Sequence, residues 1–168
     1  MIPQKIFFTK GYGHGIKKIL SFENALRSAQ ISTYNLVKVS SILPPHCEEI
    51  SLEQGKYLLR PGQIVYIVLS ENTKFYNAST EPTSIFASIG VAKPRDPSFY
   101  GYLGEFSGEN EDLEHVKRES RDLAYELLIS SRSKDLNLDI DTYEHTAYAF
   151  VNEKDKYTTC IAAAVFVE

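Results

Sequence analysis

The sequence predicts an α+β fold in four layers: helix, sheet, sheet, helix. Three observations point to it. Two stretches are apolar on one side only, at helical spacing: Phe22, Ala25, Leu26 and Ala29, then Leu113, Val116, Leu123, Leu127 and Leu128. Each such helix covers a surface instead of being enclosed. Between them lie runs of strand character, of which Ile64-Val-Tyr-Ile-Val-Leu69 is apolar on both faces and so belongs inside a sheet. The element order also repeats. A strand, a helix and two strands are followed by strands, a helix and two strands, giving two similar halves without a repeated sequence. Outer helices with the sheets packed between them bury every apolar face.

In chain order, Lys5–Thr9 is a short apolar run and a first strand. Gly11-Tyr-Gly-His-Gly15 carries three glycines at alternate positions, which predicts a loop with unusual backbone angles. Ser21 is placed to cap the first helix, which runs to about Gln30. Leu36–Leu43 reads as a strand stopped by Pro44 and Pro45. His46–Pro61 shows little periodicity and reads as a connection ending in the turn Arg60-Pro-Gly-Gln63. Gln63–Ser70 is a strand, Glu71–Pro82 a polar loop and Thr83–Lys93 a strand. Pro94-Arg-Asp-Pro97 turns the chain into Tyr100–Ser107, which pairs back as a hairpin. The longest helix spans about Leu113–Ser131, with acidic residues at its positive end, and a loop follows over residues 130–134. Thr142–Asn152 and Thr159–Val167 are the last strands, joined by a charged turn. The small side chains of Cys160-Ile-Ala-Ala-Ala-Val-Phe166 predict a close neighbour.

A length of 168 residues suits one domain with a substantial core. A net charge of −4 provides no basic surface for nucleic acid. Cys47 and Cys160 are far apart and form neither a disulfide framework nor a Cys-x-x-Cys site. His14, His46, His115 and His145 show no metal-ligand spacing. The first ten residues lack the features of a signal peptide, and no apolar run reaches bilayer length. The expectation is a cytoplasmic protein with no membrane partner.

The chemistry is concentrated in residues 35–45, Asn-Leu-Val-Lys-Val-Ser-Ser-Ile-Leu-Pro-Pro. Val37, Val39 and Ile42 fit a strand core, but Ser40 and Ser41 do not. A buried hydroxyl without a partner costs roughly 1–3 kcal/mol. Two nucleophiles inside a strand therefore conflict with their setting. This stretch resembles the self-cleavage site of the pyruvoyl-dependent arginine decarboxylases. Phe22-Glu-Asn-Ala-Leu26 and Gly101-Tyr-Leu-Gly-Glu105 carry the likeness further. The resemblance covers most of the chain, though residues 46–61 and 71–82 match no motif.

The resemblance implies cleavage between Ser40 and Ser41, giving a β chain of residues 1–40 and an α chain of residues 41–168. Ser41 would become a pyruvoyl group, which stands in for pyridoxal phosphate and needs no metal. It also implies an amino-acid substrate, L-arginine, and a homotrimer with active sites between protomers. Asn35 would assist maturation, Glu105 would donate the proton, and Glu23 with Leu26 would face the substrate. Glu23 is one methylene longer than the aspartate of the family motif. Read from the residues alone, Asn35 is equally a turn asparagine, Glu105 a solvated acid and Glu23 a first-turn helix acid. The rival functions are a pyruvoyl decarboxylase of another amino acid and an uncleaved binding or structural homologue.

Overall fold

A computed structural model describes residues 2–78, 83–131 and 138–168. The predicted loop positions 79–82 and 132–134 lie outside the described residues. The elements are β1 (Lys5–Gly15), α1 (Lys18–Ser28), β2 (Asn35–Lys38), β3 (Ile42–Leu43), β4 (Glu48–Glu49), α2 (Leu52–Leu58), β5 (Ile64–Phe75), β6 (Ser84–Pro94), β7 (Gly101–Glu109), α3 (Leu113–Ser130), β8 (Ile140–Phe150) and β9 (Tyr157–Val167). The strands form two sheets, in the orders β2-β5-β9-β1-β4 and β3-β7-β6-β8. With α1 on the outer face of the first sheet and α3 on that of the second, the fold is an α+β sandwich. No helix among the described residues is long and apolar enough to cross a membrane.

The strand-helix-strand order recurs in the two halves, with β4 and α2 inserted in the first, but the sheets do not follow the halves. C-terminal β9 lies at the centre of the first sheet, antiparallel to both β1 and β5. β3 leaves the first half and pairs with β7. Strand alternation then sets the core. Ile161, Ala163 and Val165 lie in the cluster with Ala25, Leu26 and Ile67 under α1. Their neighbours Ala162 and Ala164 join Ile6, Val68, Ile89, Val91 and Leu103 between the sheets. The three alanines of β9 are small because layers close in on both of its faces.

The glycine-rich segment is a strand, not a loop, and its glycines serve packing. Gly11, Gly13 and Gly15 share one face of β1, by strand alternation. α1 lies so close to that face that a Cβ on Gly13 would meet Ala25 N at 2.3 Å and Ser21 O at 2.5 Å. Both are backbone atoms, which cannot swing aside. A Gly13→Ala chain is expected to lose about 1–3 kcal/mol through overpacking. The measurement is the midpoint of urea unfolding, and an unmoved midpoint would contradict this seating of α1.

Other expectations also change. Ser21 does not cap α1, whose N-cap is Lys17 with no side-chain bond. Its buried hydroxyl donates to Lys18 O at 2.8 Å and pairs with Thr159 Oγ1 at 2.8 Å, tying the helix to β9. The far end of α1 closes with bonds from Gln30 N to Arg27 O and from Ile31 N to Leu26 O, both 3.0 Å. Gln30 there adopts φ 62°, the left-handed helix stop. The 46–61 connection contains β4 and α2. Ser51 and Gln54 form a reciprocal capping box on α2, a signal that periodicity does not reveal. β5 continues to Phe75, so the predicted loop begins later than Glu71. Its polar half bonds across to β7 of the second sheet: Ser70 Oγ donates to Phe106 O at 2.9 Å and Asn72 Nδ2 to Gly108 O at 2.7 Å.

Candidate active site

The predicted Leu36–Leu43 strand is broken at the serines, where the chain passes from one sheet to the other. Its last bond to the first sheet runs from Val39 N to Ile67 O, 2.8 Å. Its first bond to the second runs from Leu103 N to Ser41 O, also 2.8 Å. The Ser40–Ser41 peptide lies between these bonds and belongs to neither ladder. Ser40 is exposed and Ser41 half-buried, so the penalty expected for buried hydroxyls does not arise. Ser40 lines a largely apolar cavity of about 360 Å³ with Val39, Ile42, Pro44, Tyr66, Phe166 and Pro3.

Glu105 stands beside this crossover. The β3–β7 register, Ile42↔Tyr102 and Leu43↔Gly101, sets Ser41 opposite Leu103. Glu105 is then the diagonal neighbour, with Cα atoms about 7–8 Å apart on the same side of the sheet. Its side chain projects at the open edge between the sheets. Partial burial pushes its carboxyl above the ordinary 4.5, Lys38 pulls it back down, and Glu71 pushes it up. Lys38 and Glu71 are paired with each other at 3.0 Å. No local sequence pattern singles out this pair. Lys38 could have been found as the one charged residue within the predicted strand Leu36–Leu43.

The even offset from Asn35 to Ser41 would place both on one face only if the strand were continuous. It is not. Asn35 is exposed and donates from Nδ2 to Gly62 O at 2.6 Å, closing the Arg60–Gln63 turn. Six extended residues span about 20 Å, so within one chain its amide does not reach Ser41. Glu23 lies on α1, half-buried and paired with Arg27 at 3.3 Å. Leu26, 7% exposed, packs beneath the same helix. The single chain thus brings Ser40, Ser41 and Glu105 together. It leaves Asn35 on the turn at the start of β2, and Glu23 and Leu26 on the outer layer of the first sheet.

The histidines are dispersed. His14 Nδ1 bonds Thr158 Oγ1 at 2.9 Å, and His115 sits on α3 near Glu111. His145 stacks on Phe8 with ring centroids 4.4 Å apart, and burial draws its pKa below the ordinary 6.5. The two cysteines are buried free thiols. Burial raises the Cys47 thiol to about 11 and the Cys160 thiol to about 12, so both are poor nucleophiles near neutrality.

Comparison with known proteins places the chain in context. The family model for pyruvoyl-dependent arginine decarboxylase matches residues 5–168. Pyruvoyl-dependent arginine decarboxylase 2 of Archaeoglobus fulgidus is 42% identical over 167 residues, covering 99% of this chain and 98% of the relative. Pyruvoyl-dependent arginine decarboxylase 1 of Methanosarcina acetivorans is 37% identical over 168 residues, covering 99% and 97%. A probable pyruvoyl-dependent arginine decarboxylase of Chlorobium luteolum is 47% identical over 131 residues, covering 77% and 70%.

Proposed function

The chain belongs to the pyruvoyl-dependent arginine decarboxylase family, and from that premise we propose that it matures at Ser40–Ser41 and converts L-arginine to agmatine and carbon dioxide. The observation that carries the reading is the crossover: a serine peptide outside both ladders, with a carboxyl of raised pKa on the adjoining strand.

Maturation begins when Ser41 Oγ attacks the Ser40 carbonyl carbon. The C–N bond breaks, the nitrogen takes the hydroxyl proton, and an ester replaces the amide. Loss of the Ser41 α-proton then expels the Ser40 carboxylate. Addition of water and release of ammonia leave the pyruvoyl group at position 41. The residues fit that group. The Leu103 N–H holds the Ser41 carbonyl on the far side of the scissile bond, so cleavage frees one side of Ser41 without unseating the other.

Once present, the group supplies a carbonyl that takes up the substrate amine and accepts the electrons released with carbon dioxide. Glu105 returns a proton to the α-carbon. Its raised pKa keeps a larger protonated fraction than an ordinary glutamate at the same pH. Glu23 offers the guanidinium a carboxylate with two acceptor oxygens. Leu26 backs the helix that carries it.

Asn35, Glu23 and Leu26 complete the site from a second copy in a trimer, which also supplies the reach that one chain lacks. Exposed Ile42 and Tyr66, which line the cavity at Ser40, and exposed Val37, paired with Tyr66, support an apolar contact of that kind. The reaction takes place in the cytoplasm, among free amino acids. The test is product analysis with the purified, matured protein: agmatine from L-arginine at a rate well above any other amine from its amino acid. Equal or faster turnover of ornithine or lysine would move the assignment to another substrate.

A further inference from the structure

We propose that Glu23 and Asn24 form a two-acceptor site for a guanidinium, and that Arg27 is its internal occupant, displaced when substrate binds. The inference deepens the reading of Glu23 as the substrate's guanidinium holder and rests on it.

Arg27 is gripped on two sides. Its Nη2 lies 3.3 Å from Glu23 Oε1, and its Nη1 donates to Asn24 Oδ1 at 3.2 Å. Asn24 is itself held, because its Nδ2 donates to the His14 carbonyl of β1 at 2.8 Å. That bond fixes the amide and leaves Oδ1 facing the guanidinium. A planar fork with several N–H donors matches a pair of acceptors on adjacent residues, and a lysine ammonium matches it less well. The substrate carries the same fork.

Arg27 is also free to leave. The pair is exposed, 64% at the Arg27 side chain and 36% at Glu23. Exposed i,i+4 ion pairs are weak because water and salt compete for both charges. An incoming guanidinium therefore pays only a small displacement cost, and Arg27 lowers affinity without closing the site. The extra methylene of Glu23, relative to the family aspartate, lets the carboxylate turn from the Arg27 side toward a ligand beside the helix.

The experiment uses the matured enzyme and two probes. L-Arginine reports KM. Methylguanidine, which has no α-amine to react, reports the inhibition constant at the guanidinium position alone. In Arg27→Gln, both constants are expected to fall about two- to fourfold, the scale of an exposed ion pair. Arg27→Lys should fall between that variant and wild type. In a Glu23→Gln background, where only Asn24 still holds Arg27, Arg27→Gln should change both constants less than it does with Glu23 present. A purely structural role for Arg27 would shift the thermal midpoint and leave the methylguanidine constant alone, which overturns the proposal. Unchanged or raised constants in Arg27→Gln also overturn it. If Glu23→Gln still raises KM in that case, the reading of Glu23 stands. If Glu23→Gln leaves KM unmoved, the reading of Glu23 falls and this inference falls with it.

Discussion

A Ser41→Ala chain is expected to remain one polypeptide of 168 residues and to release no carbon dioxide from arginine. The wild-type protein should give two masses under denaturing conditions, for residues 1–40 and for residues 41–168 with a blocked N-terminus. The substitution removes the one oxygen that can attack the Ser40 carbonyl. It removes little else, because Ser41 is half-buried and its backbone carbonyl keeps the bond from Leu103 N. Under native conditions the wild-type fragments should stay together. Residues 1–40 contain β1, paired with β9 along its whole length from Lys5 to Gly15, and β2, paired with β5. Separating them would expose the core under α1. An intact wild-type mass, or a Ser41→Ala chain that still splits at this bond, would remove Ser41 from its role.

Glu105→Gln is expected to separate maturation from turnover. The variant should still yield both fragments but lose about 10²–10⁴ in kcat, the usual contribution of a positioned proton donor. Glutamine keeps the shape and hydrogen-bonding reach of the carboxyl but has no acidic proton to give. The pH dependence follows from the same group. Its carboxyl titrates above the ordinary 4.5 because of burial, with Lys38 opposing and Glu71 reinforcing. The donor must be protonated, so the wild-type rate should decline as pH rises through that pKa. Lys38→Ala should shift the decline to higher pH, since the cation that stabilises the carboxylate is gone. A Glu105→Gln enzyme within tenfold of wild type would transfer proton donation to another residue.

The fold was legible wherever a local pattern repeats. The stripes at 22–29 and 113–128 and the runs at 64–69 and 84–93 depend only on which side of an element meets water. The alternate glycines of β1 show the limit. In sequence they resemble a loosened loop, and only the approach of the α1 backbone shows that they make room for a helix. Ser21 misled in the same way. A serine near a helix start suggests a cap, but here its partner is Thr159, 138 positions away. The site divides along the same line. The serine pair stood out by residue type and Glu105 only through the family likeness, whereas their proximity depends on β3 joining β7.

By itself the sequence determined the layer count, the two outer helices, the family likeness and the two serines, because each is written in side-chain type and short-range spacing. Only the tertiary structure decided that the chain changes sheets at Ser40–Ser41, that β9 occupies the centre of the first sheet, and that Asn35 cannot reach Ser41 within one chain. These depend on which strand pairs with which. Pairing is set by contacts between residues far apart in the chain, and no short window of sequence contains them.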